Sequence, residues 1–103
     1  MQAKCFDIAE KTFKKIQSYF PEMIMNMDYK HKHVELSMDI PKQNGLDFEI
    51  NLNLQNDDEL HISTDYIWCQ LFSAESDELV DMFYESVLGI IKGEYRILQF
   101  VKN

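Results

Sequence analysis

Between Lys42 and Lys92 the chain contains no lysine or arginine. The same interval carries Asp47, Glu49, Asp57, Asp58, Glu59, Asp65, Glu75, Asp77, Glu78, Asp81 and Glu85, so the net charge of -8 is concentrated there. A surface of that sign repels nucleic-acid phosphates and anionic lipid, and neither is expected as a partner. Glycine is also scarce, at three residues, which leaves few places where backbone can close on a cofactor. Neither a Gly-rich phosphate loop nor a Gly-x-Ser-x-Gly elbow occurs, and His-Glu-x-x-His and Cys-x-x-Cys are equally missing. The two cysteines, Cys5 and Cys69, are far apart and lack metal-ligand spacing. No apolar run approaches the roughly 20 residues of a membrane helix, and the N-terminal residues lack the pattern of a secretory signal. These absences lead to the expectation of a reduced, cytoplasmic protein without cofactor, metal or catalytic activity.

What the chain does have is regular patterning. With 103 residues, 46% of them hydrophobic, it suits one domain, 1–103, around one core. From Leu46 to Leu54 apolar and polar residues alternate without a break, as in a strand with Leu46, Phe48, Ile50, Leu52 and Leu54 on one face. Asp47, Glu49, Asn51 and Asn53 occupy the other. Before it, Phe6, Ala9, Phe13, Ile16 and Phe20 recur at helical spacing, and Pro21 stops that helix. Alternation over Met23–Tyr29 and over Val34–Ile40 predicts two strands, the second closed by Pro41 and a polar turn. A fourth strand is predicted from Leu60 to about Tyr66.

The pattern breaks over Ile67–Phe72, read as a buried or sticky connection. Ser76 then supplies a helix N-cap, Asp77 and Glu78 complement the first turn, and Gly93 is placed for a left-handed cap. A last strand is predicted from Glu94 to Val101. The expected class is α+β in the order α-β-β-β-β-α-β, an antiparallel meander with both helices on one sheet face.

The opposite face would collect polar and acidic residues. Glu35, Asp39, Asp47, Glu49, Asp57, Asp58, Glu59 and Asp65 are the expected partner-binding acids, with Trp68 and Phe72 as aromatic anchors beside them. Other chemistry competes less well. His31, His33 and His61 with Asp28 or Asp65 would hold a metal only if register gathered them; exposed histidines are the simpler reading. Cys69 beside Trp68 and Leu71 reads as core rather than nucleophile. Asp47 and Glu49, side by side on the polar strand face, read as solvated carboxylates rather than an acid and base pair. The alternating Met23, Met25 and Met27 read as gap-filling core residues rather than a binding surface.

The run Ile67-Trp68-Cys69-Gln70-Leu71-Phe72, followed by Gly89-Ile90-Ile91-Lys92-Gly93-Glu94-Tyr95-Arg96-Ile97, together with small size, acidic balance and the helix-plus-meander plan, resembles small bacterial immunity proteins. The resemblance implies binding and neutralisation of a basic toxin, often a nuclease. It lies in the general plan, so no residue role is carried over. Small acidic dimeric secretion chaperones are similar in size and charge, though they usually place fewer strands before the middle helix. A small metal-dependent or carboxylate enzyme is the third alternative. An exposed edge strand or the Trp68 segment would offer a route to a homodimer.

Overall fold

The structure, a computed structural model, describes residues 5–64 and 69–93. Helix α1 (Phe6–Tyr19) is followed by strands β1 (Asn26–Asp28), β2 (Leu36–Ile40), β3 (Ile50–Gln55), β4 (Glu59–Thr64) and β5 (Cys69–Ser73), then helix α2 (Asp77–Lys92). The strands form one antiparallel sheet in the order β1-β2-β3-β4-β5, with β3 at its centre.

Register turns sequence alternation into a core. Leu36, Leu54, Leu60 and Phe72 lie in one row across the sheet, and Met38, Leu52 and Ile62 lie in the next. Ile40 pairs with Ile50 in a third. All are buried. Helix α1 covers β2 and β3 while α2 covers β4 and β5, so both helices occupy one face. Phe13 of α1 stacks on Phe83 of α2 at 6.0 Å, and Phe72 meets Phe83 edge-on at 5.8 Å. This is the expected α+β class.

Three boundaries differ from the sequence reading. The segment read as a connection over Ile67–Phe72 contains β5, paired with β4 from Ser63↔Cys69 to Glu59↔Ser73. Its alternation was masked because Leu71, half exposed, is apolar on the face away from the helices while Phe72 is buried beneath them. The order over the described residues is therefore α-β-β-β-β-β-α; the strand expected over Glu94–Val101 lies outside them. At the other edge, β1 is only three residues long. Ile24 pairs instead with a side chain: its N–H donates to Gln43 Oε1 at 2.9 Å, and Gln43 Nε2 donates to the Ile24 carbonyl at 3.0 Å. The central strand also begins later than its alternation suggested. Pairing of β2 with β3 ends at Ile40↔Ile50, next to Pro41, which has no N–H to extend the ladder. The intervening chain closes a small turn between Gln43 and Leu46 through Gly45, whose φ of +92° suits glycine.

The two helices run in the same direction. Cys5 N–H, at the start of α1, donates to Asp57 O at 3.1 Å, and Ala74 N–H, just before α2, donates to Asp58 O at 2.7 Å. One turn therefore anchors both helix starts. Further along, Lys15 Nζ lies 4.2 Å from the Tyr84 ring centre and Lys92 Nζ lies 4.6 Å from that of Tyr19. Ser76 caps α2 through a 3.3 Å hydrogen bond from Leu79 N–H, and Gly93 ends it at φ +78°. No helix among the described residues is long and apolar enough to cross a membrane.

Candidate functional site

The sheet face turned away from the helices is held together by side-chain amides. Along β3, Gln55 Nε2 donates to Asn53 Oδ1 at 2.8 Å, and Asn53 Nδ2 donates to Asn51 Oδ1 at 2.6 Å. Asn51 Nδ2 then donates across to β2, reaching Asp39 Oδ1 at 2.7 Å and Ser37 Oγ at 3.0 Å. Such a ladder is possible because residues two apart on a strand share a face. It keeps polar atoms satisfied even where Ser37 and Asn53 are buried, a condition that buried amides must meet. The ladder ends on a carboxylate, fixing Asp39 while the residue stays exposed.

At that end of the sheet lies an open depression of about 490 Å³, where β2 and β4 finish and β3 begins. Asp39 and Glu49 line it with Asn26, Asn51, Ser63 and Thr64, and Ile40, Pro41 and Ile50 supply its apolar part. Two carboxylates among amide and hydroxyl groups accept hydrogen bonds from a cation and repel an anion. Asp47, also exposed, lies on the chain leading to Glu49.

The remaining predicted acids sit elsewhere and do different work. Glu35 precedes Asp39 by four residues of extended chain, about 13 Å. Its Oε1 accepts from Asp57 N–H at 2.9 Å. Asn56 and Asp57 both adopt positive φ, 52° and 71°, which short polar side chains tolerate. The backbone carbonyls of Asp57 and Asp58 receive the N–H groups of Cys5, at the start of α1, and of Ala74, shortly before α2. Glu59 Oε1 accepts from Asn56 Nδ2 at 2.9 Å and lies 3.1 Å from His61 Nε2. The Asn56 hydrogen bond, then the one with His61, hold its pKa below the usual glutamate value. The acidic residues thus form two groups, one at the helix-start turn and one at the depression.

The aromatic anchors fare differently. Phe72 is 4% exposed and packs against Phe83, so it belongs to the core and cannot serve as a surface anchor. Trp68 and Asp65 lie outside the described residues. Leu71 of β5 is apolar and half exposed, paired in register with His61. His31 and His33 lie on the β1–β2 connection with ring centres 5.9 Å apart, and His31 Nδ1 accepts from His33 N–H. No group of three or more His, Cys, Asp or Glu residues among the described ones is disposed to hold a metal. Sequence reasoning missed Asn51 as the residue that holds Asp39. Its signal was the Asn51, Asn53, Gln55 series at intervals of two.

No known protein family matches the sequence, and no curated protein or solved structure shows significant similarity to it.

Proposed function

We propose that the chain is a non-catalytic binding protein of the cytoplasm, an immunity protein or inhibitor that neutralises a basic partner such as a nuclease toxin. The observation that carries this reading is the presentation of Asp39 by Asn51 at the rim of the depression that Glu49 also lines. A side chain that is fixed before binding loses less conformational freedom on association. The depression falls in the size range of pockets that take small groups, and its acceptors suit an arginine or lysine side chain. Carboxylates held there would occupy the space that phosphates of a nuclease substrate fill on the partner. The cation-free stretch from Gln43 to Ile91 would speed encounter with such a partner at low salt.

Affinity capture on the tagged protein from its native cell, eluted stepwise with salt and identified by mass spectrometry, tests the proposal. One basic protein released by moderate salt is the expected result. A collection of amphipathic clients would instead favour the chaperone alternative, and the lack of any salt-sensitive partner would overturn the inhibitor reading.

A further inference from the structure

The outer surface of the helix layer carries charge in two adjacent stripes of opposite sign. Lys11 and Lys14 are exposed on α1, Lys14 with its Nζ 3.4 Å from Glu10 Oε2 one turn back, and Glu78, Asp81 and Glu85 are exposed on α2, whose last turn carries Lys92 over the Tyr19 ring. The two lysines are three residues apart and the three acids recur at intervals of three and four, which stacks each set along one side of its helix. Because the helices run in the same direction and Lys15 lies beside Tyr84, Lys11 stands level with Asp81 and Lys14 with Glu85. A two-fold axis parallel to the helices would set α1 of one copy over α2 of the next and repeat the contact by symmetry, as an isologous interface requires. Any two-fold that placed like helix over like helix would oppose lysines to lysines.

We infer that the helix layer is a self-association surface, with a second copy of this chain as its occupant and the axis parallel to α1 and α2. Lys11 meets Asp81 and Lys14 meets Glu85, each pair formed twice. Asp7 comes opposite Glu78, a like-charge contact confined to one end. The face is about 21–24 Å long and two helices wide, roughly 450 Å² per copy, which places the dimer in the weak, transient class. Its attraction depends on exposed charges, so salt weakens it. The inference stands independently of the proposed partner, because the acidic sheet face lies on the opposite side of the sheet and stays open in the dimer.

Sedimentation equilibrium across a concentration series, at low and high ionic strength, is the test. The unaltered protein should reach twice the chain mass at low salt and revert toward the monomer at high salt. Lys11→Glu with Lys14→Glu, and separately Asp81→Lys with Glu85→Lys, should each weaken association at least about tenfold, since like charges then face each other. Mixed together, the two double variants should form a heterodimer, because one then presents two acidic stripes and the other two basic ones. All four positions are exposed, and circular dichroism on each double variant checks that it is folded; either one suffices. A protein that stays monomeric at low salt, a dimer indifferent to both reversals, or variants that do not recombine on mixing would each overturn the inference.

Discussion

Asn51 Nδ2 donates to Asp39 Oδ1 at 2.7 Å, linking the central strand to the residue that opens the acidic depression. The same amide group bonds Ser37 Oγ, and its carbonyl oxygen accepts from Asn53. One side chain therefore joins three others on the face turned away from α1 and α2.

Replacing Asn51 with alanine should leave the buried Asn53 amide without its acceptor. A buried polar group that loses its partner costs about 1–3 kcal/mol, and urea denaturation should show a loss in that range. Asn51→Asp is the sharper comparison: it keeps an acceptor for Asn53 but sets a carboxylate against Asp39, so it should recover stability only in part and do so better at acid pH, where carboxylates are neutralised.

Phe72→Ala should act on folding rather than on recognition. Removing a buried phenylalanine costs about 3–5 kcal/mol, a large share of the 5–15 kcal/mol that holds a typical domain together. Chemical denaturation should show that loss, or an unfolded protein. Leu71→Ala, two-faced counterpart of the same strand, should change stability little because its side chain is half exposed.

Tyr29→Phe should alter the titration of Glu10. Tyr29 Oη donates to Glu10 Oε2 at 2.8 Å, and that bond is the main reason the Glu10 pKa lies below the ordinary glutamate value. The phenol is raised in turn by the same partner. Glu10's depressed pKa gives a contribution that is present above the unfolded-state value and is lost as pH falls through the lower folded-state value. The phenol's contribution runs the other way, present below the ordinary tyrosine value and lost as pH rises through the raised one. NMR titration should show the Glu10 pKa moving up in the variant; an unchanged value would break the assignment.

Much of the fold could be read from spacing, and the reasons for the rest are specific. Leu36 to Ile40 and Ile50 to Leu54 alternate because one sheet face meets the helices and the other does not, so their strands were visible. Ser76 and Gly93 announced the ends of α2 through local chemistry alone. Leu71 hid β5, since an apolar side chain on the open face breaks alternation. Met23 and Ile24 kept a strand-like rhythm, yet Ile24 is paired by the Gln43 side chain, a contact 19 residues away that no local pattern reveals. For the site, the acidic character was legible but its division was not. Glu35, Asp57, Asp58 and Glu59 gather at the helix starts only because a tight turn brings both chain segments to it. Asp39 and Glu49 come together through strand register.

The most direct test of the central claim compares capture by the unaltered protein with capture by Asp39→Lys combined with Glu49→Lys, in the same lysate and the same low-salt buffer. Both positions are exposed, and circular dichroism should show an unchanged fold. The account predicts a basic partner on the unaltered protein, released by salt, and its loss from the doubly reversed variant. Recovery of the same partner in equal amount on the folded variant would contradict it.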